Sequence, residues 1–347
     1  MVISTALVTR VGENGKAYLS REKVELGQPQ HNQVLVRIHS IAQNPTDVQS
    51  LDANAFGDGA VLGCDFSGTV EAMGNKVTSL KIRDTIAGLV WGGEIKGLGA
   101  YSEYVFADEK ICFKIPKTTR NNAAATVPLA CATAWLALFS KGCLNIQRGA
   151  DNPTPVLIWG GSSSVGIYAI QLARIFSIPS VAICSPKHFE HCKSMGADSV
   201  FNYRDLDVVD KIKSQVPNIG HVFDCIGEGT SSTQASQAVC ADGGLLCTVR
   251  PGKANTENVE KRVQVTDVLV WTAFLKDHQY REFKWPASQA DHDLSCELFQ
   301  NIPGWLERGK LKPNTVRVIP GGLDAVKEGF QMHRDGQVSA FKIVYEL

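Results

Sequence analysis

None of the ten cysteines stands in a Cys-x-x-Cys pair, so the closely spaced four-cysteine lobe that holds a structural zinc is excluded. Charge of one sign is not in excess: 35 basic residues face 35 acidic ones, and no basic run exceeds a few residues. Nucleic acid and anionic membrane are therefore poor candidates for the principal partner. No apolar run reaches the ~20 residues a membrane-spanning helix needs. Met1-Val-Ile-Ser-Thr-Ala6 shows no basic segment followed by a long apolar one, and with the scattered cysteines this reads as a reduced, cytoplasmic protein. Repeats and low-complexity linkers are missing too. At 347 residues the chain is comfortable for two domains, each able to bury most of its apolar surface.

The most informative stretch is Val156-Leu-Ile-Trp-Gly-Gly-Ser-Ser-Ser-Val-Gly166, four apolar residues running into a small-residue turn and then an apolar-periodic segment. It reads as strand, turn and helix. Such a turn presents unpaired amides at the positive end of a helix, where a pyrophosphate can approach the main chain. Gly160, Gly161 and Gly166 permit that approach, but the same turn also occurs without a ligand. About 20 residues on, dinucleotide folds place the residue that meets the adenosine ribose. An acidic residue is lacking there: Val181-Ala-Ile-Cys184 runs into Ser185-Pro-Lys-His188. A hydroxyl, a lysine and a histidine favour a 2′-phosphate, and hence NADPH over NADH.

Upstream, short β-branched runs such as Gln33–Ile41 and Gly68–Met73 read as half-buried strands of an irregular β domain. Between them Asn44-Pro-Thr-Asp-Val-Gln49 opens a short helix, with Thr46 or Asp47 as its cap. From Ala123 the pattern becomes helical, and then strands and helices alternate: strands at Val156–Trp159, Val181–Cys184, Val200–Phe201, His221–Cys225 and Gly244–Val249, helices at Val165–Phe176, Phe189–Met195, Asp207–Ser214 and Thr233–Cys240. Alternation of this kind implies a parallel, doubly wound α/β sheet. Val265–Leu275 reads as a last strand region, Leu294–Arg308 as an amphipathic helix ending at Gly309, and Phe341–Tyr345 as a closing strand. The aromatic segment Tyr280–Trp285 either shapes a substrate tunnel or packs a domain junction. His188-x-x-His191-Cys192 is a ligand cluster on paper, but on a surface helix it reads as solvated.

With those elements in place, the chain resembles a medium-chain dehydrogenase/reductase over nearly its whole length. The resemblance is carried by Asn44-Pro-Thr-Asp47, Gly63-Cys-Asp-Phe-Ser-Gly-Thr-Val70, Gly99-Ala-Tyr-Ser-Glu-Tyr104, Ala123-Ala-Ala-Thr-Val-Pro128, Gly160–Gly166, Lys193-Ser-Met-Gly-Ala-Asp198 and Asn202-Tyr-Arg-Asp205. Within that superfamily it is most similar to the trans-acting enoyl reductases of fungal polyketide synthases. This implies a GroES-like β-rich catalytic domain (residues 1–124, completed by 276–347) and a Rossmann cofactor domain (125–275), with substrate in the cleft between them. It also implies Ser163, Ser164 and Val165 at the pyrophosphate, Ser185, Lys187 and Tyr203 around the 2′-phosphate, Cys225, Ile226, Leu246 and Thr248 lining the adenine and nicotinamide sides, and Thr133 at the nicotinamide amide or ribose. Asn44, Thr46 and Gln49 are the donors available to a substrate carbonyl. The carrier domain of a partner synthase would present the substrate, and a monomer is expected, although Val268–Leu275 could pair edge to edge in a dimer.

Two departures qualify the likeness. Arg83-Asp84-Thr85-Ile86 replaces the usual Gly-Asp-Arg-Val, a surface-turn change, and Gln49 stands where several relatives have lysine. The catalytic-zinc signature Gly-His-Glu of alcohol dehydrogenases is replaced by Gly63-Cys64-Asp65. Without a Lewis acid, hydride addition to the β-carbon of an α,β-unsaturated carbonyl is the better reading. The enzyme then has to position two partners and stabilise an enolate. No side chain stands out as the proton donor. A free-standing quinone or enone reductase, and a non-catalytic NADPH-binding scaffold, share these features.

Overall fold

The computed structural model describes residues 1–280 and 283–347. It divides into two units, Met1–Leu129 with Phe299–Leu347, and Ala130–Leu298. In the first unit, Gln33–Ala42 is the central strand. It pairs antiparallel with Asp65–Met73 on one side, and with Tyr104–Asp108 and then Lys342–Glu346 on the other. The returning carboxy-terminal strand thus completes a sheet begun 300 residues earlier, a pairing that local sequence cannot announce. The core of this unit gathers fully enclosed residues such as Val34, Phe66, Ile86, Tyr101, Phe330 and Tyr345. Strands, the helix Val326–Arg334 and the loop at Tyr101 all contribute to it.

The second unit is the doubly wound sheet. Its six parallel strands run in the order Ser199–Asn202, Ser180–Cys184, Val156–Trp159, His221–Asp224, Gly244–Thr248 and Val263–Asp267. Val156–Trp159 is wholly buried, as a central strand covered on both faces must be. Because the strands are in register, their carboxyl ends form one edge, and the order reverses beside Val156–Trp159. That reversal is the switch point at which open α/β sheets take ligands.

Several elements differ from expectation for identifiable reasons. The helix expected from Ala123 is two, Asn121–Ala124 and Pro128–Phe139, because proline both lacks an amide and disfavours helix in the residue before it. The stretch is apolar enough to span a bilayer by composition, yet 89% of it is buried within the protein. The strand expected over Val265–Leu275 stops at Asp267, and Val270–Ala273 is a 3₁₀ turn that buries Val270, Trp271 and Ala273. Val268–Leu275 therefore offers no edge strand for a dimer. The helix expected from Leu294 starts at Gln289. Its first half stays with the second unit through Ser140 Oγ donating to Asp291 (2.6 Å), Trp135 Nε1 donating to the Leu294 carbonyl (2.7 Å) and the Arg148–Glu297 ion pair. The two units meet in the chain at 129/130 and 298/299. The tunnel or junction role considered for Tyr280–Trp285 falls partly on Arg281 and Glu282, outside the described residues.

Candidate functional site

The turn after Val156–Trp159 is built by what its glycines leave out. Gly160 takes φ +81°, and a Cβ there would meet the Ile226 side chain at 2.7 Å. A Cβ on Gly161 would meet Ala182 Cβ at 2.8 Å, and one on Gly166 would lie 2.3 Å from the Gly160 carbonyl oxygen. The three glycines thus let strand, turn and helix close upon one another, which side chains would prevent. Ser163 caps the helix Ser164–Ile175, its Oγ accepting from the Gly166 amide at 3.0 Å. First-turn amides of a helix have no intrahelical acceptor, so those of Ser164 and Val165 are the groups to meet an anion. The backbone cradle fits a dinucleotide pyrophosphate.

Strand register brings the neighbouring residues to the same edge. Ser185 follows the strand Ser180–Cys184 as the N-cap of the 3₁₀ turn Pro186–His188, in which Lys187 is exposed. Tyr203, 39% exposed, follows Asn202, which lies opposite Cys184. On the other side of the switch point, Asp224 lies opposite Trp159. This fully buried carboxylate accepts from the amides of Ile226 (2.9 Å) and Gly227 (3.0 Å) and from the hydroxyls of Ser231 (2.6 Å) and Ser232 (2.7 Å). It thereby holds Cys225 and Ile226 against Gly160. Sequence reasoning named Cys225 and Ile226 but missed Asp224, whose signal was an acidic residue ending a buried strand just before a glycine and two serines. Leu246 and Thr248 are both fully buried. Leu246 packs in a cluster with Leu157, Val181 and Val222, so it supports the sheet from within rather than lining a site.

The β-rich unit places its candidates unequally. Asn44, not Thr46 or Asp47, is the N-cap of Pro45–Asp52, and Asp47 in the third helical position accepts the Asn44 amide at 2.8 Å. The Asn44 side chain is buried and spent, its Nδ2 donating to Asp65 Oδ2 (2.9 Å) and to the Ala42 carbonyl (3.3 Å). It holds the turn and has no donor left for a substrate. Thr46 is half-buried and Gln49 exposed. Thr133, 8% exposed, lies on the helix Pro128–Phe139 in the other unit.

Asp65 is engaged in a way that a zinc ligand could not be. Its Oδ2 takes the Lys342 ammonium at 2.5 Å, while Oδ1 accepts the Leu129 amide at 2.7 Å, and the Lys342 side chain is only 3% exposed. An ammonium already beside the carboxylate repels a second cation. Burial also pushes the Cys64 thiol well above its ordinary range, with the Asp47 charge adding to the effect. The residues here do not fit a catalytic zinc. Among the described residues no group of three His, Cys, Asp or Glu side chains converges as metal ligands would.

Asp47 itself is 2% exposed. Its Oδ2 also accepts from the Tyr101 hydroxyl (3.0 Å), and its Oδ1 has no hydrogen-bond partner. Burial raises its pKa to about 7, against the opposing pull of these hydrogen bonds. The folded chain therefore keeps a proton on Asp47 between about pH 4 and 7 that the unfolded chain has lost, so this group makes stability fall as pH rises through that window. The gap corresponds to on the order of 4 kcal/mol. Asp47→Asn, which mimics the protonated acid, is expected to flatten the dependence of unfolding free energy on pH across that range in urea titrations. An unchanged slope would show that another group carries it.

Comparison with known proteins agrees with this fold. Residues 30–117 match the family model of the alcohol dehydrogenase GroES-like domain, and 164–282 match that of the zinc-binding dehydrogenases. A trans-enoyl reductase of Alternaria alternata is 31% identical over 94% of this chain and 95% of its own length. One from Aspergillus niger is 32% identical over 90% of this chain and 89% of its own. Among solved structures, an alcohol dehydrogenase superfamily protein from Novosphingobium aromaticivorans superposes with TM-score 0.80 at 23% identity, covering 100% of both chains. The CurK enoyl reductase does so with TM-score 0.75 at 22% identity, covering 99% of each.

Proposed function

As the chain belongs to the medium-chain dehydrogenase/reductase superfamily, with fungal trans-enoyl reductases among its relatives, we propose that it is an NADPH-dependent, trans-acting enoyl reductase of polyketide synthesis. It is an oxidoreductase of the enoyl reductase type, acting on C=C bonds, and its superfamily works with nicotinamide cofactors. The finer reading names NADPH, a carrier-bound polyketide thioester as substrate and a partner synthase. The observation that carries it is the Gly160–Gly166 cradle with Lys187 at the neighbouring strand end, where an acidic residue would repel a 2′-phosphate.

When bound, NADPH supplies the hydride that adds to the β-carbon of the α,β-unsaturated thioester. The protein's own part is positional. The amides of Ser164 and Val165 hold the pyrophosphate, and Ser185, Lys187 and Tyr203 hold the 2′-phosphate. Thr133 orients the nicotinamide end through its amide or ribose. Negative charge accumulating on the thioester oxygen is met by hydrogen-bond donors, for which Thr46 and Gln49 remain after Asn44 is committed to Asp65. The α-carbon takes its proton from water.

The test is loss of nicotinamide absorbance with a carrier-bound enoyl thioester, set against simple enones and quinones. Faster turnover of the carrier thioester is expected. Equal turnover of the free compounds would replace this reading with a free-standing reductase, and no turnover of any of them would leave a nucleotide-binding scaffold.

A further inference from the structure

The corner assigned to the 2′-phosphate is bordered by acids as well as bases. Asn202 ends its strand opposite Cys184, so Tyr203, Arg204 and Asp205 emerge beside Ser185 and Lys187. Arg204 stacks its guanidinium 5.2 Å from the Tyr203 ring centroid, leaving its N–H edges for a ligand. Asp205 is the opposing charge. Its carboxylate accepts from Asn202 Nδ2 at 2.7 Å, which fixes it over the strand end, and it pairs with Lys211 Nζ at 2.8 Å. Lys211, on the helix Val208–Gln215, also pairs with Asp207 at 2.9 Å. The other acid nearby, Glu190, is matched by Lys193 at 3.1 Å. Asp205 and Asp207 thus share Lys211 and Glu190 has Lys193, while Lys187 and Arg204 remain for the phosphate.

A phosphate monoester carries nearly two negative charges at neutral pH, so an unmatched carboxylate within a Debye length opposes it, whereas a free ribose hydroxyl is indifferent. We propose that Lys211 is a specificity-determining residue for NADPH over NADH, acting through Asp205 by holding that carboxylate's charge off the 2′-phosphate, with Arg204 as a further phosphate donor. The proposal rests on the NADPH reading above. Lys211 touches no cofactor in this scheme; it is a positioning residue.

The experiment measures kcat/KM for NADPH and for NADH in the full-length protein, at low and at high salt, for the wild type, Lys211→Met, Lys211→Arg and the double variant Asp205→Asn/Lys211→Met. Lys211→Met is expected to lower the NADPH/NADH ratio by about 3-fold to 5-fold at low salt, in keeping with the strength of exposed ion pairs, and by less at high salt. Lys211→Arg is expected to restore the wild-type ratio, and the double variant most of it, since Asp207 still lacks its partner there. If Lys211→Met leaves the ratio unchanged in a wild type that prefers NADPH, or lowers both cofactors equally, Lys211 is only structural and the proposal fails alone. A wild type that uses NADH as well as NADPH would overturn the cofactor reading itself, and this proposal with it.

Discussion

Gly166→Ala is expected to weaken NADPH binding severely while leaving most of the fold standing. The added Cβ would lie 2.3 Å from the Gly160 carbonyl oxygen and 2.8 Å from Gly161 Cα. Both are backbone atoms of the turn, so no side chain can swing aside to relieve the clash. The turn must open, and the amides of Ser164 and Val165 then leave the position they hold against the pyrophosphate. Overpacking of this kind costs typically 1–3 kcal/mol in stability. The displacement, of the order of 1 Å, costs roughly a hundredfold in function. Gly27→Ala is the control, since a Cβ there meets nothing within 4 Å and the backbone angle is ordinary. Fluorescence titration with NADPH and thermal melting read the two effects separately. Unaltered affinity in Gly166→Ala would mean that the nucleotide does not use this turn.

Lys342→Met is expected to have the largest effect on stability. It removes the cation from a fully buried carboxylate and leaves Asp65 with two neutral donors, Asn44 Nδ2 and the Leu129 amide. Removing one partner of a buried pair costs about 3–5 kcal/mol, whereas replacing both by neutral groups of similar volume is often nearly neutral. The double variant Asp65→Asn/Lys342→Met is therefore expected to recover most of the loss. Urea unfolding of the wild type, the single variant and the double variant measures this. A loss below about 1 kcal/mol in the single variant would show that water reaches Asp65 and that the pair is not dry. Because Lys342 lies on the returning strand and Asp65 on a strand of the amino-terminal part, the loss should appear as weakened docking of the carboxy-terminal segment within the β-rich unit.

Both variants probe features of different legibility. The Gly160–Gly166 turn could be read directly, since apolar run, small-residue turn and periodic segment are neighbours in the chain, and the backbone constraint that selects glycine is local. Strands such as Val156–Trp159 and helices such as Phe189–Met195 emerged at their expected bounds for the same reason. Lys187 was legible because its spacing from the turn is set by one helix and one strand. Asp224, by contrast, looked like any strand-terminal acid, and its value lies in four donors gathered from the loop and helix after it. Lys342 is one charge within a short closing strand, with nothing nearby in the chain to mark it as buried. Only a partner 277 positions away shows why it is buried.

By itself the sequence determined the two-unit α/β organisation, the strand–turn–helix at Val156–Ile175 and the missing zinc signature, because each depends on residues close together in the chain or on periodicity within one element. The tertiary structure alone decided that Asn44 is spent on Asp65, that Leu246 lies inside the sheet's core, that Val270–Ala273 turns inward, and that Asp65 is paired with the Lys342 ammonium. Those outcomes depend on which distant side chain fills a given space and satisfies a given buried charge, and the burial that makes such pairings obligatory exists only once the sheets have formed.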